Sequence, residues 1–197
     1  MPNGQPTFWL ITGPDGVGKT TYAIMRHLRA VSGSINFVNL DEIARGLPPL
    51  EPSAAQTEAA RIALSRARFF MRERATFAMV TTLSGQSHLH LLGEAADAGL
   101  STAMLYSSVR DPAICLERIA RRVAEGGHDV PEPVVRRRFA RGLANLPAYA
   151  RICELWRVYE ASGPRPALAL EDAGSDIRHR DDDVLAQGHP SLAGLSS

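Results

Sequence analysis

Apolar residues cluster in short blocks along the chain, and between the blocks they recur at helical spacing. Thr7-Phe8-Trp9-Leu10-Ile11-Thr12 is a continuous apolar run rich in β-formers, and it ends in the turn signal Gly13-Pro14-Asp15-Gly16. Ala23, Ile24, Leu28 and Val31 then recur with helical period, so the pattern predicts a helix over Thr20 to Val31, closed by Ser32-Gly33. Strands are predicted over Ile35 to Leu40, Phe77 to Thr82 and Ser101 to Ser107, with a last short one over Ala167 to Leu170. A proline loop at Pro48, Pro49 and Pro52 precedes a long Ala/Arg-rich helix opened by Ser53 and reaching about Arg74. Further helices are predicted over Ser87 to Ala98, from the Asp111-Pro112 start signal to Glu125, over Glu132 to Leu143 and over Ala148 to Glu160. Strands alternating with helices of ten or more residues argue an α/β fold with a mostly parallel sheet covered by helices on both faces.

The chain has 197 residues, 45% hydrophobic and 22% charged, enough to bury a core without disulfide staples. Two cysteines, Cys115 and Cys153, form neither a disulfide framework nor a metal knuckle, which fits reduced thiols in a cytoplasmic protein. No apolar run reaches eighteen residues, so no membrane association is expected. From Glu171 to Ser197 six acids face two arginines and no aromatic residue occurs. The composition predicts one globular domain over residues 1–170 and an acidic, flexible tail over 171–197. Of the 22 basic residues one alone, Lys19, is lysine. Where arginine serves every other positive position, a retained lysine points to a need for a compact, flexible ammonium.

Lys19 lies inside Gly13-Pro14-Asp15-Gly16-Val17-Gly18-Lys19-Thr20, a full G-x-x-x-x-G-K-[ST] match between the first predicted strand and the first predicted helix. Glycines let successive backbone N–H groups turn into one concavity, and the following helix aims its positive end there, so the segment is suited to a nucleotide's phosphates. In that arrangement Lys19 reaches the β- and γ-phosphates of ATP and the Thr20 hydroxyl holds Mg²⁺. Asp41 follows the second strand, where α/β sheets place their ligands. It is a candidate general base for a substrate hydroxyl; its alternative role is to cap the helix beginning at Glu42. Seven arginines (118, 121, 122, 136, 137, 138 and 141) lie on two predicted helices hinged at Gly126-Gly127, opposed by Glu125, Asp129 and Glu132. The pattern suits a lid whose guanidiniums stabilise phosphate charge. Without interleaved aromatics it does not suit nucleic acid. His88 and His90, two apart on a helix, share no face for a metal, and His128 reads as a hinge residue.

These features together resemble the zeta-toxin family of small P-loop kinases, the bacterial UDP-N-acetylglucosamine kinases, over roughly residues 8–170. The resemblance rests on Gly13 to Thr21, Asn39-Leu40-Asp41-Glu42-Ile43-Ala44 and Thr81-Thr82-Leu83-Ser84-Gly85. It continues through Glu117 to Val123, Gly126-Gly127-His128-Asp129-Val130-Pro131 and Arg136-Arg137-Arg138-Phe139. It implies a P-loop NTPase fold with an arginine-rich helical lid and phosphorylation of the sugar nucleotide's 3′-hydroxyl by ATP with Mg²⁺. Asp41 is then the base. Lys19, Arg118, Arg122 and Arg138 bind phosphate, Thr21 completes the nucleotide loop, and position 80, Thr82 and Ser84 line the acceptor site. A small helical antitoxin is the implied partner. Two departures stand out: Val80 occupies the place of the family's glutamate, and Glu160-Ala161-Ser162 replaces an acid-Asn-Ser. They keep two other readings open, a catalytically impaired nucleotide-binding module and a kinase for another small hydroxyl compound.

Overall fold

A computed structural model describes residues 5–19, 35–47, 52–174 and 176–192. The helix expected over Thr20 to Val31, the hydroxyls of Thr20 and Thr21, and Pro48 and Pro49 lie outside the described residues.

Seven strands form one sheet: β1 (Thr7–Thr12), β2 (Asn36–Val38), β3 (Phe77–Thr81), β4 (Ser101–Ser108), β5 (Leu155–Glu160), β6 (Ala167–Asp172) and β7 (Ile177–Arg180). Their order is β2-β3-β1-β4-β5-β6-β7. The first five run parallel, and β6 and β7 return antiparallel at one edge. Helices α1 (Leu40–Arg45), α2 (Pro52–Arg72), α3 (Ser87–Asp97), α4 (Pro112–Ala124), α5 (Glu132–Ala150) and α6 (Asp182–Gln187) connect or follow the strands. The alternation of elements predicts this mostly parallel α/β sheet, and it is the P-loop NTPase-like fold that the resemblance implies.

β1 shows why the apolar run is continuous. It lies between β3 and β4, with Phe8 opposite Phe77 and Thr102, and every one of its residues is buried. Phe8 and Leu10 pack on one face with residues of α2, α3 and α5, and the Phe8 and Phe77 rings stack at 4.5 Å. Trp9 and Ile11 pack on the other face with Ala78, Ala103, Leu105 and Tyr159. A strand buried on both faces has no polar side to alternate.

Two expectations give way. The segment 148–160 is not a helix: α5 continues through Pro147 to Ala150, and Leu155–Glu160 is the fifth parallel strand, paired along β4. Trp156, Val158 and Tyr159 favour a strand buried on both faces, and spacing alone does not separate such a run from a helical stripe.

The acidic tail is not a solvated appendage either, and the boundary at residue 170 falls inside β6. Asp181, read as part of a charge run, is the N-cap of α6 and accepts from the Val184 N–H at 3.0 Å, while Asp182 and Asp183 lie in the first turn. Negative charge there complements the positive end of the helix. Arg157 and Glu171 pair at 2.6 Å across β5 and β6. Leu185 and Leu192, each 2% exposed, join the core beside Val158, Ala169 and Leu170, and His189 sets its ring edgewise on Phe139 of α5 at 5.7 Å. Local composition hid a segment whose leucines 185 and 192 point inward, while Ile177 stays exposed. Leu185→Ala is expected to cost about 2–4 kcal/mol in urea unfolding, whereas an unpacked tail predicts no change.

Candidate active site

The site forms at the carboxyl ends of the parallel strands. Thr12 closes β1 by donating its hydroxyl to the Leu105 carbonyl of β4 at 3.0 Å. The chain then turns over its neighbours at very close range. A Cβ on Gly13 (φ +140°) would stand 2.5 Å from the Ser107 carbonyl oxygen, and one on Gly16 (φ +79°) 2.6 Å from that of Cys115 in α4. Both the dihedrals and the space require glycine. Val17 anchors the underside of the loop among Cys115, Ile119, Val135 and Phe139 of α4 and α5. At Gly18 (φ +93°) a Cβ would meet nothing within 4 Å among the described residues. The loop is therefore packed below and open above, as a cradle for a polyphosphate must be.

Lys19 folds back into this loop. Its Nζ donates to the Gly13 and Pro14 carbonyls, each at 2.8 Å. Burial holds its ammonium below the ordinary value of 10.5, while the carboxylates of Asp15 and Asp41 pull it back up. The cation thus sits within the field of two acids from different elements. Asp15 also receives Arg138 of α5, with Nη1 to Oδ2 at 3.1 Å.

Asp41 lies in the first turn of α1, and the capping alternative falls to another residue. Asn39 is the N-cap: its side chain accepts from the Asp41 N–H at 3.0 Å. The Asp41 side chain is exposed and takes no part in the cap.

The lid arginines divide. Arg118 is committed to the loop after β5, where its Nη2 donates to the Ala161 and Ser162 carbonyls at 2.8 and 3.0 Å. Arg122 donates to the His128 carbonyl at 2.6 Å, holding the hinge between α4 and α5. Arg136 pairs with Glu132 at 2.7 Å on the surface. Both Arg118 and Arg122 thus brace loops through carbonyl oxygens. Arg138 pairs with the Asp15 carboxylate of the phosphate loop, and Arg118 Nη1 also reaches the Val17 carbonyl of that loop at 3.5 Å. Glu160, also singled out in the sequence, supports the braced loop by accepting from the Ser162 N–H at 2.9 Å.

Beyond β3, the Thr82 and Ser84 hydroxyls lie 2.9 Å apart. Between them Leu83 is fully buried and adopts φ +56°, a left-handed conformation that costs a non-glycine residue about 1 kcal/mol or more. Val80 packs as a half-buried apolar side chain on the Trp9 and Ile11 cluster, with no polar atom to present.

Sequence reasoning missed three contributors: Asp15 as the partner of Arg138, and Asn145 and Tyr149 of α5. Asn145 Nδ2 donates to the Leu83 carbonyl at 2.7 Å, and the Tyr149 hydroxyl to that of Gly85 at 2.8 Å. Each of these contacts joins residues more than sixty positions apart, so no local pattern marked it. Burial pushes the Cys115 thiol beneath the loop up to about 11, so it stays protonated near neutrality. Among the described residues no cluster of three or more His, Cys, Asp or Glu could hold a metal, and no helix is long and apolar enough to cross a membrane.

The geometry agrees with the comparisons. The AAA domain family (AAA_33) matches residues 8–148, and the chain belongs to it. Its fold is a kinase-like P-loop fold. An uncharacterized protein of Haemophilus influenzae is 31% identical over 127 residues, covering 64% of this chain and 88% of its own length. A structure from the PezAT chromosomal toxin–antitoxin system of Streptococcus pneumoniae superposes with a TM-score of 0.72 at 15% identity, over 94% of this chain and 79% of that one. The AvrRxo1-ORF1:AvrRxo1-ORF2 complex with ATP gives 0.72 at 16% identity, over 98% of this chain and 66% of that one.

Enclosing Lys19 costs the nucleotide-free protein stability. The folded chain releases this proton earlier than the unfolded chain, which holds it up to about 10.5. Below that value and above the folded one, the unfolded state binds more protons, so the Lys19 contribution to stability grows as pH rises. Lys19→Met is expected to raise stability at neutral pH and to flatten this alkaline slope, both read by thermal unfolding across pH.

Proposed function

We propose that this protein transfers the γ-phosphoryl group of ATP to a hydroxyl of a small molecule, with a sugar nucleotide such as UDP-N-acetylglucosamine as the acceptor class implied by the zeta-toxin resemblance. The observation that carries this reading is the part-buried Lys19 ammonium, bonded to the Gly13 and Pro14 carbonyls with the charges of Asp15 and Asp41 acting on it from two elements. That arrangement supports a phosphate chain and an acid for an incoming alcohol sharing one site.

Each residue then has a task. Backbone N–H groups of Gly13, Pro14's successors Asp15, Gly16, Val17 and Gly18, and Lys19 itself bind the phosphates. Lys19 exchanges two carbonyl oxygens for phosphate oxygens, which a flexible ammonium does with little rearrangement. Thr20 and Thr21, outside the described residues, complete the nucleotide loop, with Thr20 as the Mg²⁺ ligand; bound Mg²⁺ supplies charge neutralisation between the phosphates. Asp41 accepts the proton of the acceptor hydroxyl as its oxygen bonds to the γ-phosphorus and the bond to the β-bridging oxygen breaks, releasing ADP. Arg138 transfers from Asp15 to the phosphoryl oxygens, where a guanidinium binds two of them at once. Thr82 and Ser84 contact the acceptor. The reading includes a cytoplasmic setting and a small helical antitoxin, as the PezAT likeness suggests.

Val80 supports a second reading. With an apolar side chain at the end of β3, packed into the Trp9 and Ile11 cluster, the site lacks a carboxylate there, as a nucleotide-binding module without turnover would. Incubation with labelled ATP, Mg²⁺ and a panel of sugar nucleotides, sugars and nucleosides separates the two. The kinase reading predicts a phosphorylated acceptor, with Lys19→Ala and Asp41→Asn each lowering kcat by about 10²-fold or more. Asp41→Asn should retain nucleotide binding in calorimetry. Tight nucleotide binding with no transfer to any acceptor selects the module, and undiminished turnover by Asp41→Asn removes the base assignment.

A further inference from the structure

Four residues of α5 lie on one narrow stripe. Arg138, Gly142, Asn145 and Tyr149 follow the spacing i, i+4, i+7 and i+11, which keeps them within about 60° around the helix axis. All four meet the two loops of the site. Arg138 pairs with Asp15 of the phosphate loop. Gly142 lies so close to the turn after β3 that a Cβ there would stand 2.6 Å from the Thr82 carbonyl oxygen. Asn145 donates to the Leu83 carbonyl at 2.7 Å and Tyr149 to the Gly85 carbonyl at 2.8 Å. Two carbonyls of one turn, those of Leu83 and Gly85, are thus fixed by a helix that also packs closely on the Thr82 carbonyl, and Leu83 is the left-handed, fully buried residue of that turn.

We propose that Asn145 is a positioning residue for the acceptor end of the site: by holding the Leu83 carbonyl it keeps the 82–85 turn in its left-handed form and sets the Thr82–Ser84 hydroxyl pair toward the acceptor. Leucine does not adopt this conformation unaided, so the surroundings must impose it. The Leu83 side chain alone does not: apolar burial is tolerant of direction, whereas a hydrogen bond to the carbonyl fixes the peptide plane. Without the amide, the peptide between Leu83 and Ser84 is free to rotate, and rotation separates two hydroxyls now 2.9 Å apart. Since the same stripe holds Asp15, α5 also fixes the distance between the phosphate loop and this turn. The inference rests on the kinase reading for its catalytic consequence and on the geometry alone for its structural one.

The test uses the full-length protein and two readouts. Asn145→Ala removes the donor while leaving a good helix former, so α5 is retained. Hydrogen exchange should show amides of residues 83–86 exchanging about tenfold faster than in the wild type, with those of residues 15–18 unchanged. In the acceptor assay the variant should raise the acceptor KM about tenfold while kcat and the KM for ATP stay within about twofold. Asn145→Gln, which retains the donor on a longer stem, should recover part of both effects. Unchanged exchange at 83–86, or a loss shared equally between acceptor and ATP, overturns the proposal. If no compound in the panel is phosphorylated by the wild type, the kinase reading fails on that result, and the exchange measurement still decides the role of Asn145.

Discussion

The close approach of a Cβ-less backbone to two carbonyl oxygens governs this molecule. Gly13 rides over the Ser107 carbonyl of β4 and Gly16 over the Cys115 carbonyl of α4, at separations that no side chain could share. The loop is thereby clamped between the sheet and a helix before any ligand arrives, with Val17 as its apolar anchor. Preorganisation of this kind lets backbone dipoles act on a bound anion without first being ordered. Everything else in the site is arranged around that fixed point. Lys19 curls back to carbonyls of the same loop, and Asp15 holds Arg138, so two cations rest on the loop's own acceptors.

The stability of the fold and the needs of the site pull against one another at identifiable positions. Lys19 is enclosed at the expense of hydration, and Leu83 is held left-handed in the core. Both are tolerated because a large apolar core surrounds them. β1 is buried along its whole length, and α2, α3, α5 and the C-terminal segment all contribute to one cluster. α5 serves both sides of this balance. Leu146 faces the core, while the stripe from Arg138 to Tyr149 holds the phosphate loop and the turn after β3.

Much of this was legible in the residues. The glycine-rich loop and its single lysine announce themselves, because the motif encodes backbone geometry directly and needs no distant partner. Strands β1, β3 and β4 were equally plain, since continuous apolar runs are the mark of parallel strands buried on both faces. What escaped depended on contacts between segments far apart in the chain. β5 looked helical until β4 supplied its pairing. The acids of the tail looked solvated until Asp181 proved to cap α6 over a buried Leu185. Asp41 and Asn39 competed for one cap, and two residues of spacing decided it in favour of Asn39. The carbonyl oxygens that Arg118 and Arg122 hold left no mark in the sequence. Asn145 gave no local sign of the carbonyl it holds, 62 residues away in the chain.

The most direct measurement is a crystal structure of the protein with Mg²⁺ and a non-hydrolysable ATP analogue. The account predicts the triphosphate in the concavity above Gly18, with the Lys19 ammonium moved from the Gly13 and Pro14 carbonyls onto phosphate oxygens. A nucleotide bound elsewhere, or one bound there while Lys19 keeps both carbonyl contacts, would contradict it.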